Sequence, residues 1–444
     1  KNLLLNNMIL IGNLNGTIFL IKKERKHMKK VILTLCFLVF SSSISYSDTT
    51  DQTWMNIVEL KKTGDHCVDD KNCFNRYHPY IPPAAKANPG DIIILHTRDA
   101  LDSEFKIDSI PADLATVDLG LVHPMTGPVH INGAKRGDAI EIELLDIAPD
   151  QYGYTVIAPG FGFLRDIFTE PYIVNWKLTR VGAVSAEIPG VTIPYEAFPG
   201  SIGVLPGIME VNKYKTREAE LAAAGGAALG PSPAGALPDA ICGPNGSYKD
   251  DCLRTIPPRE NGGNIDVQQM QIGTKMVFPC FIDGCGIFAG DIHYAQGDGE
   301  VSGTAIEMGS VMQIRVKILP GKGKDMDMPY VVGNDQIIDM EPTRYYQTIG
   351  IPLKAKGEMP PSHAYLDSGK LVDLENASED LVIAARHALI QMIDYLVNEH
   401  GLTKEQAYVL CSVAADLRVG QVVDIPNYVV TAVLALDVFD KYRN

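Results

Sequence analysis

Within residues 290–300 the chain places four side chains able to bind a metal or move a proton: Asp291, His293, Asp298 and Glu300. An imidazole grouped with carboxylates suits metal-activated water with a carboxylate base. Apolar, strand-like residues lie on both sides, at 278–288 and 301–306, and polar chemistry set between buried strands needs a reason to be there. Asp291 and His293 are two residues apart, so on a strand they share one face and can bind one ion. Asp298 and Glu300 repeat that spacing after Gln296-Gly297, and a hairpin would close all four on one point.

The elements that must hold this group read mainly as strands. Residues 91–95, 139–147 and 311–318 alternate or run apolar over short spans bounded by Gly, Pro and Asp. Forty glycines and 28 prolines suit a turn-rich β protein better than a helix bundle. One helix is predicted near 214–224, ahead of a Gly/Pro/Ala excursion over 225–256 that reads as a lid or interface element. Later the periodicity changes. Leu381, Ala384, Ala388, Met392 and Leu396 recur at helical spacing within 378–400, ending at Gly401. Thr403-Lys404-Glu405-Gln406 is a capping-box start for a second helix to about Asp416. A strand-like tail covers 422–438.

Met28-Lys29-Lys30, an apolar run at 31–40 and small residues ending at Ser47 have the pattern of a secretory signal peptide. Residues 1–47 are therefore expected to be removed, leaving an exported, periplasmic protein. No run after Asp48 is long enough to span a membrane. The first 47 residues hold seven Lys/Arg and one Glu, which leaves 32 basic and 53 acidic residues, a net charge of −21. That charge, with no basic patch, excludes nucleic acid and anionic lipid as partners. Seven cysteines remain. Cys67/Cys73 and Cys242/Cys252 lie in polar, loop-like sequence and are expected as disulfides, whereas Cys280 and Cys285 flank an apolar run and read equally as a bond or as buried thiols. Cys411 is left over.

Gly127-Pro128-Val129, the run Pro258-Arg259-Glu260-Asn261-Gly262-Gly263-Asn264-Ile265-Asp266, the 290–300 segment and Gly303-Thr304-Ala305-Ile306-Glu307 resemble the acetamidase/formamidase family. The likeness runs in order from about Asp91 to Val419, which is more specific than any short motif. It implies hydrolysis of a small carboxylic amide to the acid and ammonia, a mainly β fold, a homo-oligomer of two or more subunits, and a metal ion in some members. With the strand patterning, the expected architecture is mainly β: sandwiched sheets, a sandwich or barrel-like core, with a C-terminal α/β region. The expected divisions are 48–90 as an N-terminal segment, 91–360 as the core, and 361–444 as a C-terminal part of the same catalytic unit.

Amide hydrolysis needs a nucleophile, stabilisation of the oxyanion and a proton for the leaving nitrogen. No Gly-x-Ser-x-Gly elbow is present. Asp291, His293 and Asp99, with His96 as a further candidate, are expected to hold a divalent metal, zinc or alternatively calcium. Glu300 or Glu307 is the expected base, and Asp298 either joins them or is only the turn. Gln296, Asn264 and Asp266 are expected to hold the amide, although Asp266 reads equally as a brace for the Gly-Gly loop. His123, before a proline, reads as structural. Arg259 and Glu260 read as an ion pair holding the loop or, for Glu260, as catalytic. Two rivals stand beside this: a thiol amidase using Cys285 or Cys280, and a periplasmic amide-binding protein without turnover.

Overall fold

Two long antiparallel strands, Ala139–Ile157 and Glu307–Leu319, carry the molecule. In the first, Ile140, Ile142 and Leu144 are buried and Glu141 and Glu143 only partly so, which is the period-two pattern of a strand with one face on a core. The phase slips at Leu145, where the register shifts between Gln313 and Ile314. Each aliphatic side chain buried on that face contributes about 1.5–3 kcal/mol. A second break falls near the other end. Met308 pairs with Gly153 and Ser310 with Pro149, so Gly309 alone faces Asp150, Gln151 and Tyr152.

The computed structural model describes residues 8–14, 17–22, 56–223, 228–333, 344–358, 372–373, 380–422 and 428–443. Residues 1–53 form one unit, described only as a hairpin of Met8–Leu14 against Thr17–Lys22. The signal expected at 28–47 lies outside the described residues. Residues 54–444 form the second unit. Its main sheet runs Thr192–Pro194, Gly182–Val184, Tyr172–Leu178, Ala139–Ile157, Glu307–Leu319, Ile287–His293, Phe198–Val204, Gly262–Asn264. Branches join it: Ile92–Thr97 beside Glu307–Leu319, Met125–Ile131 beside Ile287–His293, and Lys275–Pro279 beside Ala139–Ile157. The architecture is mainly β, as the sequence implies, and this path ends at two edges rather than closing into a barrel.

The C-terminal α/β region also forms. Leu381–His400 starts at Asp380, whose carboxylate accepts from the Ile383 N–H, and stops at Gly401 in the left-handed conformation. Thr403 and Gln406 make the expected capping box for Lys404–Ala414. These helices pack with a sheet of Tyr345–Gly350, Val429–Ala435 and Ala415–Gln421. The earlier helix is Ile208–Ala223. No helix among the described residues is long and apolar enough to cross a membrane.

Three disulfides close short loops: Cys67–Cys73, Cys242–Cys252 and Cys280–Cys285. Cys411 is free and buried. The excursion after the first helix is clamped rather than open. Buried Arg76 donates to the carbonyls of Ser232, Ala234 and Gly120, and Asn75 bonds Gly235 and Leu237.

Candidate active site

Strand pairing builds the site. His293 lies across from Glu307 on one neighbour and from Phe198 on the other, and Gly290 faces Ser201, which in turn faces Asn264. Residues distant in sequence therefore meet at the end of Ile287–His293. Ligand atoms of Asp266, Asp291 and His293 lie within 4.8 Å of one another, and so do those of His293, Glu300 and Glu307. His293 belongs to both groups.

The imidazole is oriented from behind. His293 Nδ1 lies 2.7 Å from Gln296 Oε1, and Gln296 Nε2 donates to the Asp266 carbonyl at 3.0 Å. The amide thus presents its oxygen to the ring, so Nδ1 carries a proton and Nε2 faces the carboxylates. Nε2 is 3.5 Å from Asp291 Oδ1 and 3.5 Å from Glu307 Oε2. Glu307 Oε1 accepts from the Ala305 N–H at 2.9 Å, while its Oε2 is buried with no hydrogen-bond partner. Asp266 Oδ1 is likewise buried and unpartnered. Ser201 Oγ stands 3.0 Å from Asn264 Oδ1 and 3.1 Å from Asp291 Oδ2, with one proton to share.

Burial would raise the Asp291 carboxyl, but His123 and His293 outweigh it and hold the group well below the usual range. Glu307 and Asp266 go the other way. Burial lifts both, with the other carboxylates adding and His293 opposing. Burial pushes Glu300 up to about 7, against the pull of His293. For His293, burial favours the neutral ring, yet Glu307 and Asp291 raise it well above its ordinary value. This is an acid-rich pocket that wants positive charge at Nε2.

The backbone is strained at the same place. Asp266, Asp291 and Glu300 hold φ of 48°, 52° and 42°, the left-handed region that side chains avoid. Such residues cost about 1–3 kcal/mol each and gather where function requires them. Gly200 gives the opposite adjustment. A Cβ there would stand 2.6 Å from His293 Nε2 and 2.8 Å from Asp266 Oδ1, so only glycine leaves room.

Of the residues expected to act, Asp291, His293, Glu300, Glu307 and Asp266 meet here, with Gln296 and Asn264 in contact behind them. Gln296 orients the histidine and Asn264 meets Ser201. Three others lie outside both groups, which corrects the placing of His96 and Asp99 among the ligands and of Asp298 among the catalytic carboxylates. His96 sits on the outward phase of Ile92–Thr97, where its Nε2 is 2.8 Å from Glu59. Asp99 follows that strand in a turn, both oxygens engaged by Tyr154 Oη and the Leu101 and Ser103 N–H groups. Asp298 donates its N–H to Asp416 and its carboxylate meets Gln268, so it forms the turn and not the cluster. Glu196 shares that neighbourhood, where burial and Asp416 push it up to about 7.

Two residues read otherwise from sequence belong with the site. His123 faces Asp291 and His293, its Nδ1 buried and unpartnered. Ser201 lies inside the strand Phe198–Val204, a stretch that offers little chemistry by composition. Its signal was Gly200-Ser201, a small pair within an otherwise apolar strand. Arg259 and Glu260 pair not with each other but with Glu218 and Arg217 of the Ile208–Ala223 helix. Cys285 is bonded to Cys280, which leaves neither of these two candidates a free thiol for nucleophilic attack.

Comparison with known proteins places these features. A model of the acetamidase/formamidase family matches residues 59–441. An acetamidase of Mycolicibacterium smegmatis is 31% identical over 360 residues, 76% of this chain and 84% of its own length. A formamidase of Methylophilus methylotrophus is 29% identical over 410 residues, 86% of this chain and 93% of its own. Among solved structures, a gamma lactamase from Delftia acidovorans aligns with a TM-score of 0.77 at 30% identity, covering 86% of this chain and 93% of that one.

Proposed function

The chain belongs to the acetamidase/formamidase family, and on that premise we propose that this site hydrolyses a small carboxylic amide to the carboxylate and ammonia with the help of a divalent metal ion. The observation that carries the metal is the buried, unpartnered Asp266 Oδ1 in a residue whose ligand atoms group with those of Asp291 and His293. A buried carboxylate oxygen without a donor is costly unless a cation answers it. Asp266, Asp291 and His293 fit such an ion. The imidazole favours zinc, and calcium is the alternative. When bound, the ion supplies Lewis acidity to the amide carbonyl and makes water a better nucleophile.

The chain's own groups do the rest. Gln296 fixes the tautomer that leaves His293 Nε2 free, and Ser201 holds Asp291. Glu307 is held at Oε1 by the Ala305 N–H, so Oε2 is a fixed acceptor. It takes the proton of the attacking water and returns it to the nitrogen as the C–N bond breaks. Glu300 is the second carboxylate beside His293 and shares that proton. The backbone N–H groups around Gly200 and the Asn264 amide hold the substrate.

Ammonia release from formamide and acetamide, with metal analysis of the same sample, tests this. We expect turnover, about one metal per chain, and loss of activity on chelation that added metal restores. Full activity in a metal-free sample would remove the metal, and no release from any amide would remove the reaction.

We also propose export to an oxidising compartment, which the three disulfides favour, and assembly as a homo-oligomer, which the exposed apolar strand Tyr330–Val332 favours. Cell fractionation and sedimentation check these two.

A further inference from the structure

Ser201 has more claims on it than it can meet. Its hydroxyl carries one proton, and Asn264 Oδ1 at 3.0 Å and Asp291 Oδ2 at 3.1 Å both stand as acceptors. The carboxylate is the stronger acceptor and takes the proton. That leaves the Asn264 oxygen facing the Ser201 oxygen with no hydrogen between them. Half a turn of the amide keeps its outline and puts Nδ2 in that place. The chain then closes from Asn264 Nδ2 to Ser201 Oγ to Asp291 Oδ2, with a donor and an acceptor at every step.

The same turn sends Oδ1 to the other end of the amide. That end meets no partner among the described residues, and it is not sealed from solvent. It also lies on the accessible side of the cluster. Asp291, His293, Gln296 and Glu307 are buried, whereas Asn264, Asp266 and Glu300 keep part of their surface open. The backbone holds this side in place, since the Ile265 and Asp266 N–H groups both donate to the Gly200 carbonyl. A substrate that reaches Asp291 and His293 from there passes a fixed oxygen with no donor of its own.

We propose that Asn264 reads the substrate's N–H: its Oδ1 accepts a hydrogen bond from the amide nitrogen and so selects amides over carbonyl compounds of the same shape. The proposal rests on amide hydrolysis at this cluster. A primary amide brings two N–H donors. A ketone or an ester brings none, and a site built to bond an N–H rejects the analogue that lacks it. The carboxylate product offers only oxygens to Asn264 Oδ1, so the contact that admits the substrate also favours release of the acid.

The test uses acetone, which replaces the NH2 of acetamide by a methyl group and keeps the carbonyl. In the wild-type chain we expect its competitive Ki to lie at least about tenfold above the KM of acetamide. In Asn264→Leu, kcat/KM for acetamide should fall by about tenfold or more, with the Ki of acetone little changed. Acetone that binds the wild type as well as acetamide does overturns the proposal, whether or not the variant folds. So does a variant in which acetone weakens as much as acetamide, because Asn264 would then hold the carbonyl, and so does unchanged acetamide turnover. Ammonia release from acetamide by the wild type leaves the amidase reading intact in each of these cases. No release removes acetamide hydrolysis itself, and the proposal with it.

Discussion

A methyl group at residue 200 would stand against Cε1 and Nε2 of His293 and against Asp266 Oδ1. Gly200→Ala is therefore expected to cost about 1–3 kcal/mol of stability and to lower kcat by about tenfold or more. Thermal unfolding and ammonia release on one preparation check it, and unchanged turnover would place the chemistry elsewhere. His293→Ala should lower kcat by about 10²–10⁴ and lose bound metal while keeping its circular dichroism. Glu196 gives a pH signature away from the ligands. Its folded value of about 7 lies above the ordinary 4.5, so folding holds its proton more tightly than the unfolded chain does. That contribution is complete below 4.5 and is lost as pH rises through 7. Glu196→Gln should accordingly be more stable than wild type at pH 8, on the order of 2 kcal/mol, with little difference at pH 4. At this scale the sequence showed Asp291 and His293, because two-residue spacing on a strand is a local rule. It could not show Ser201 or His123, which reach the cluster only through pairings formed after folding. It also misplaced His96, since Ile92–Thr97 could have faced either way until its neighbours chose the phase.

The Lys404–Ala414 helix does more than close the C-terminal region. Its Ser412 carbonyl accepts from the Gly297 N–H, and Ser412 Oγ accepts from the Ser302 N–H and donates to the Thr304 carbonyl. Tyr408 Oη serves the Val301 carbonyl and the Leu164 N–H. One helix face thus holds both sides of Glu300. Thr403→Ala should cost about 1 kcal/mol through its lost cap. Ser412→Ala should lower kcat more than it changes KM, because it frees the turn that carries a reacting carboxylate without touching substrate. Steady-state kinetics on acetamide separates the two, and an effect on KM alone would argue against this support role. Both C-terminal helices were readable, since caps and 3.6-residue spacing are written within a few residues. The register break opposite Gly309 was not, because it depends on how two strands some 150 residues apart align.

At the scale of the whole molecule, the described cysteines form three short covalent loops and leave Cys411 free and buried. Replacing Cys280 and Cys285 together by serine should lower stability by about 2 kcal/mol and leave amide turnover in place, which denaturant unfolding and ammonia assays would show. Loss of turnover with the fold intact would revive a thiol mechanism. The mainly β character was visible in composition and alternation. The order of strands in the sheet was not, since pairing partners leave no mark in local pattern. The left-handed carboxylates carry a wider consequence. At Glu300 glycine would sit more comfortably in the backbone and would remove a carboxylate that burial disfavours, whereas at Asp291 it would also give up a charge that His123 and His293 hold in place. Selection for heat resistance alone should therefore drive position 300 toward glycine and yield robust, inert protein. Survivors of such a screen, sequenced and then assayed, would mark which residues the fold tolerates only because the reaction keeps them.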